Sequence, residues 1–339
     1  MTNGPPILIL GATGFVGQAL VRRLSSQGYP VRAMVRSPGK AAALRSVGVD
    51  CVMGDVWTGE GLDPALQGVS TAYYLVHAMG AAPGGKDFAE VDRQSATNFA
   101  KAASRSGLHQ VVYLGGLGDD APTLSRHLAS RREVGQLLRS GSAHVTQLRA
   151  GIVIGAGGAS FEMMVQLVEK LPVMICPRWI DTRCQAIALE DLVSYLVGCA
   201  GNARVLDQTY DVGGPDVLRY SEMLMRIGAE VGRRPTLIVI PRFTPALSSH
   251  WVGYITEVSP DLARPVIDGM ASEAVCREDR IRTIFPLPLQ GFDESIRRAL
   301  QERRRAMPGY RLTEGRLPAP FTGRILRLTR RSLEMPAGP

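Results

Sequence analysis

The chain has 339 residues, 45% of them apolar, enough to bury one large core or two modest ones and too apolar for a disordered chain. Its net charge of +8 is concentrated in residues 301–339, which hold nine Arg against three Glu; the nearly neutral remainder gives no support for nucleic-acid binding. Five scattered Cys with no C-x-x-C pair read as reduced thiols, and five dispersed His lack metal-ligand spacing, so no metal site is expected. There is no apolar run of membrane-spanning length, and Met1 to Pro6 lack the basic start and apolar stretch of a signal peptide. The expected address is cytoplasmic.

In chain order, short β-type runs alternate with amphipathic helical stretches, the pattern of a parallel sheet covered on both faces. Strands are predicted at Ile7 to Leu10, Val31 to Val35, Cys51 to Met53, Thr71 to Val76, Val111 to Leu114 and Val145 to Leu148. Helices are predicted near Phe15 to Ser26, Gly39 to Ser46, Phe88 to Ser106 and Ser130 to Arg139. The expected fold is α/β: a doubly wound Rossmann domain over residues 1–155, followed by a smaller, irregular region over 156–302 that covers the substrate and returns elements to the sheet. In that second part a helix carries Phe161, Met164, Val165 and Val168, a strand spans Gln185 to Leu189, Glu190 and Asp191 open a helix, Thr209 to Val212 forms a strand, and Ser221 caps a helix. The basic tail is placed at residues 303–339, outside the compact core.

The first predicted strand runs directly into Gly11-Ala12-Thr13-Gly14-Phe15-Val16-Gly17 and then into a helix. In that context Gly11 and Gly14 permit a tight turn and close approach to a pyrophosphate, and Gly17 permits helix–strand packing. The second strand ends at Arg36, where domains that prefer NAD place an acidic residue for the ribose hydroxyl. Arg36, with Lys40 adding charge, suits a 2′-phosphate, so NADP(H) is favoured over NAD(H); the plain alternative is a solvated Arg at a strand end. After the third strand, Asp55, beside Val56, reads either as a partner of the adenine amino group or as the cap of a turn. Val76 and His77 close the fourth strand on the side where ligands of open α/β sheets bind.

The segments Gly11 to Gly17, Gly54-Asp55, Tyr73 to His77, Tyr113 to Leu117, Leu148 to Ala150 with Ile154-Gly155, and Tyr210 to Pro215 resemble the atypical short-chain dehydrogenase/reductases, in their NmrA-like, NAD(P)H-binding branch. The resemblance covers most of residues 5–300. It implies an oxidoreductase, yet the Ser, Tyr and Lys that the superfamily commonly uses are replaced. Gly115 and Gly116 stand at the serine position, and His127-Leu128-Ala129-Ser130-Arg131 stands where Tyr and Lys are expected. Hydride transfer to a carbonyl needs a proton or strong donor at the oxygen, and His127, His77 and Arg131 are the candidates; for either histidine the competing reading is purely structural.

Arg149, Arg178, Trp179 and Phe161 are candidate substrate contacts, whereas Met164 has the spacing of core packing. The expected function is NADP(H)-dependent oxidation or reduction of a hydrophobic small molecule. A redox-inactive dinucleotide-binding sensor or assembly protein, and an epimerase or isomerase with tightly held cofactor, are the alternatives. In the tail, Phe321, Ile325 and Leu328 share one helical face and Arg324, Arg327 and Arg331 another, which suits weak contact with an anionic membrane surface or packing on the parent domain.

Overall fold

A computed structural model of the protein describes residues 4–78, 87–118, 125–240 and 268–306, with the backbone of Ile325–Arg327. The side chain of Trp179 and residues 307–324 and 328–339 lie outside the described residues; within the segment expected to form an amphipathic helix, Ile325–Arg327 is a strand instead, paired in parallel with Leu237 to Val239. None of the described helices is long and apolar enough to cross a membrane.

The first part of the chain runs β1 (Ile7–Leu10), α1 (Phe15–Ser26), β2 (Val31–Val35), α2 (Pro38–Arg45), β3 (Asp50–Met53), α3 (Leu62–Leu66), β4 (Thr71–Tyr74), α4 (Phe88–Ser106), β5 (Gln110–Gly116), α5 (Arg126–Arg139) and β6 (His144–Ala150). It continues with β7 (Val153–Ile154), α6 (Ala159–Lys170), β8 (Val173–Cys176), β9 (Arg183–Cys184), β10 (Ile187–Ala188), α7 (Leu189–Cys199), β11 (Thr209–Val212) and β12 (Leu218–Arg219). The described elements end with α8 (Tyr220–Glu230), β13 (Thr236–Val239), α9 (Arg280–Ile284), α10 (Phe292–Ala306) and β14 (Ile325–Arg327).

The chain divides into two compact units: Met1–Gly151 with Leu189–Gly213 and Cys276–Leu289, and Ile152–Ala188 with Gly214–Val275 and Gln290–Pro339. The first unit is built on a seven-stranded parallel sheet of order β11-β6-β5-β4-β1-β2-β3. This is the expected Rossmann-type α/β fold. From β1 the chain adds strands first on one side and then on the other, so β1 and β4 flank the switch point, the place where open α/β sheets bind their ligands. Both faces of β1 are buried, which is why Ile7, Leu8, Ile9 and Leu10 are uniformly apolar instead of alternating. Leu8, Leu10, Tyr74 and Tyr113 from the strands meet Phe99 of α4 and Val134 and Leu138 of α5 in one core.

The second unit holds a parallel pair β7/β10, an antiparallel pair β9/β12 and the parallel sheet β14-β13-β8. Several boundaries differ from the sequence reading: β4 stops at Tyr74, short of the expected Val76, and α5 begins at Arg126 instead of Ser130 because Ser125 caps it, accepting from the Leu128 amide. The five-residue α3 is unexpected, its helical pattern being too short to register and interrupted by Pro64. Only Ile187–Ala188 of the expected Gln185-to-Leu189 strand pairs, and α7 takes over at Leu189. Ser221 does not cap α8; Arg219 does, while Ser221 sits inside the helix and donates to Asp181 at 3.3 Å. Arg303 is no tail residue: it is 5% exposed on α10, bound to Glu162 at 2.8 Å and Glu169 at 3.0 Å, so two acidic partners on α6 hold the last turns of that helix.

Candidate dinucleotide site and a buried histidine pair

The turn after β1 is shaped by contacts that only glycine permits. Gly11 takes a φ of +88°, a left-handed conformation costly for other residues. A side chain at Gly17 would place Cβ 2.1 Å from the Gly11 carbonyl oxygen, so this glycine lets α1 lie against the turn. A Cβ at Gly14 would meet only that oxygen, at 3.3 Å, and would otherwise project into the cleft the turn borders. Gln18 braces the turn by donating to Thr13 O at 2.9 Å. The N-terminus of α1 has no side-chain cap and no acidic residue in its first turn, which suits its amides to an anion.

A cleft of about 410 Å³ runs over the carboxyl ends of four neighbouring strands. Gly11, Thr13 and Gly14 line it after β1, Arg36 after β2, Asp55 and Val56 after β3, and Val76 and His77 after β4. Met34, Trp57, Ala78, Asp92 and Ser95 complete much of its wall and are not anticipated from sequence. Phe15, Val16 and Gly17 form the first turn of α1 without lining the cleft, and Lys40 is exposed on α2 away from it. The Arg36 side chain is 68% exposed and only loosely paired with Asp55, at 3.7 Å. Asp55 does cap a turn, accepting from the Trp57 amide at 2.9 Å, while facing the cleft. Volume, glycine turn and a cationic rim at the end of β2 together fit a dinucleotide.

At the β4 end stands a chain of hydrogen-bonded side chains. Asp92 Oδ2 lies 2.6 Å from His77 Nδ1, and His77 Nε2 lies 3.0 Å from His127 Nδ1. Asp92 also accepts from Ser130 Oγ at 2.9 Å and from the Ala78 amide at 2.8 Å. Arg131 is stacked 5.3 Å above the Tyr113 ring and donates to the Leu114 carbonyl, so it lies beside the pair without lining the cleft. Burial, reinforced by the His77 and Arg131 charges, pushes His127 from 6.5 down to about 3. Burial and Arg131 also lower His77, against the pull of Asp92. Burial opposes ionisation of Asp92, but the hydrogen bonds from His77 and Ala78 prevail and leave its carboxyl below the ordinary value. At neutral pH the cluster is therefore a carboxylate and two neutral imidazoles.

The sequence carried one signal for Asp92. It interrupts the buried face of α4, between Val91 and Ser95-Ala96, and a buried carboxylate requires partners. The glycines at the expected serine position also have a packing cause: a Cβ at Gly115 would come within 2.8 Å of Gln147 Nε2, and one at Gly116 within 2.8 Å of Leu128 Cδ2.

The substrate candidates fare differently. Arg149 already pairs with the fully buried Asp211 at 2.6 Å across β6 and β11, which satisfies a charge inside the first unit. Phe161 is 0% exposed on α6 and has no surface to offer a ligand. Arg178 is exposed on a single 3-10 turn, Arg178–Asp181, and with Phe161 and Trp179 belongs to the second unit.

Residues 11–154 match a family described as NAD(P)H-binding. A ceramide reductase of Caulobacter vibrioides is 28% identical over 239 residues, covering 69% of this chain and 73% of that protein. A photosystem II assembly factor of Cyanophora paradoxa is 26% identical over 239 residues, covering 68% and 71%. The structure of a Citrobacter sp. triphenylmethane reductase complexed with NADP(H) superposes with a TM-score of 0.69 at 17% identity, covering 86% of this chain and 99% of that one. The chain thus carries an NAD(P)H-binding domain at residues 11–154, in a Rossmann-like fold that it shares with the triphenylmethane reductase.

Proposed function

We propose that the protein is an NADP(H)-dependent oxidoreductase acting on a hydrophobic small molecule. The carrying observation is that one cleft joins the Gly11–Gly14 turn and Arg36 at one end to the His77–Asp92 pair at the other. Arg36 is exposed and weakly paired, free to form a charge-assisted, bidentate bond with a 2′-phosphate, and β2 ends without a carboxylate to favour the 2′-hydroxyl. When bound, the dinucleotide exchanges a hydride with the substrate. The glycine turn and the α1 amides orient its pyrophosphate, and His77 with Asp92 sets the polar end of the cleft where oxygen chemistry takes place. Relatives named ceramide reductase and triphenylmethane reductase, both after large apolar molecules, support this reading. The Ser, Tyr and Lys of the wider superfamily are not part of it.

Calorimetry with NADPH and NADH tests the cofactor assignment, and NADPH consumption at 340 nm with hydrophobic carbonyl acceptors tests turnover. A second reading, a redox-inactive dinucleotide sensor, is favoured by the relative that assembles photosystem II. It expects tight NADPH binding with no consumption by any acceptor.

A further inference from the structure

After β3 the chain turns back on itself in a closed loop. Asp55 and Glu60 form an antiparallel bridge, in which the Asp55 amide donates to the Glu60 carbonyl at 2.9 Å and the Gly59 amide to the Asp55 carbonyl at 2.9 Å. Gly59 and Gly61 make the reversal, with φ of +82° and +76°. The loop supplies Asp55, Val56 and Trp57 to the wall of the cleft, beside Arg36. Glycines permit this path but lend it no stiffness, so part of what orders it has to come from outside.

That support comes from α4. Asn98 Nδ2 donates to two consecutive carbonyls of the loop, Val56 at 3.1 Å and Trp57 at 2.8 Å. Carbonyl oxygens only accept, so the NH2 of Asn98 faces the loop, and its Oδ1, turned away, accepts from Gln94 Nε2 at 2.8 Å one turn earlier. A Cβ at Gly59 would stand 3.6 Å from Asn98 Nδ2, so the loop rests directly on this amide. Asp92, Ser95 and Asn98 follow one another at three-residue steps on one side of α4. The first two line the cleft; Asn98 does not, yet it is bonded to two residues that do.

We propose that Asn98 is a positioning residue for the cofactor: it makes no contact with the dinucleotide, but its grip on two successive carbonyls holds the Asp55–Trp57 wall ready for the adenosine half. This rests on the reading of the cleft as the dinucleotide site. With the loop already ordered, binding does not have to supply the ordering; without Asn98 that cost is subtracted from the affinity. The loss falls on the adenosine half whether or not a 2′-phosphate is present. Asn98 therefore sets the affinity for NADPH and NADH together, whereas Arg36 sets the ratio between them.

Calorimetry on the full chain with NADPH and NADH tests this in Asn98→Ala and in Asn98→Asp, which keeps the shape of the side chain but turns acceptors toward both carbonyls. Both variants are expected to bind both cofactors roughly 10-fold or more weakly, with the ratio of the two affinities as in the wild type. Wild-type affinities in either variant, or a loss confined to NADPH, overturn the proposal; a purely structural asparagine would lower the urea midpoint and leave the affinities where they were. Hydrogen exchange on the wild type gives a test that needs no variant. ADP alone is expected to slow exchange at the amides of Asp55, Trp57 and Gly59, and exchange there that is indifferent to ADP overturns the proposal. A wild type that binds neither NADPH nor NADH overturns the dinucleotide reading itself, and this proposal with it.

Discussion

Arg36 and Gly14 act on the cofactor by different means, charge and space. Arg36→Ala removes a charge-assisted pair with the 2′-phosphate and touches nothing in the core, since the side chain is 68% exposed. The expected result in calorimetry is a roughly 10- to 100-fold loss of NADPH affinity with NADH affinity nearly unchanged. An unaltered ratio of the two affinities would assign the 2′-phosphate to another residue. Gly14→Val is expected to abolish binding of both cofactors while leaving the melting curve close to that of the wild type, because the new side chain projects into the cleft and meets only the Gly11 oxygen. Gly17 makes the contrast: its Cβ would stand 2.1 Å from backbone oxygen, so Gly17→Ala should lower the melting temperature as well as binding. Retained cofactor binding in Gly14→Val sinks the role given to the turn.

At the scale of elements, α6 and α10 are joined by a buried charge cluster. Arg303 bridges Glu162 and Glu169, and Glu162 also accepts from the Gly157 amide at 3.0 Å, so one guanidinium ties together two helices and the turn before α6. Removing it strands two half-buried carboxylates. Arg303→Ala is expected to cost about 3–5 kcal/mol in urea denaturation, more than Arg303→Ala combined with Glu162→Gln and Glu169→Gln. A single variant no less stable than the triple one would show that the carboxylates find other partners. Phe161→Ala belongs to the same scale. A fully buried ring on α6 should cost about 3–5 kcal/mol and act on stability alone, so a selective change in KM at unchanged stability would restore its role as a substrate contact.

For the whole molecule, the histidine pair couples folding to pH. Both His77 and His127 hold protons less readily in the folded chain than in the unfolded one, burial being the first cause for each and Arg131 adding to it. Between the ordinary value of 6.5 and the value of about 3 for His127, the unfolded chain therefore binds a proton that the folded chain refuses. Stability is full above that window and falls as pH drops through it, by up to about 1.4 kcal/mol per pH unit per proton. The midpoint of urea unfolding is expected to drop between pH 7 and pH 4.5, and His127→Gln should flatten the decline. An equal slope in the variant would mean that His127 does not refuse its proton.

What the sequence determined by itself is the part governed by local rules. An uninterrupted apolar run at Ile7 to Leu10, followed by glycines at positions 11, 14 and 17 and then a helical pattern, reads as a strand buried on both faces that ends in a turn open to phosphate, so the Rossmann fold and its dinucleotide end were legible. Helix α4 showed its apolar face, and the break at Asp92 in that face was also local. What the break meant was not. Asp92, His77 and His127 are 15 and 50 residues apart in sequence by their contacts, and they meet only because β4 lies beside β5, with α4 and α5 packed together over them. Burial in that packed layer, not residue type, removes the imidazole charge. The same holds for Arg149 and Arg303: sequence shows a cation, and the tertiary structure decides whether a ligand or an internal carboxylate receives it.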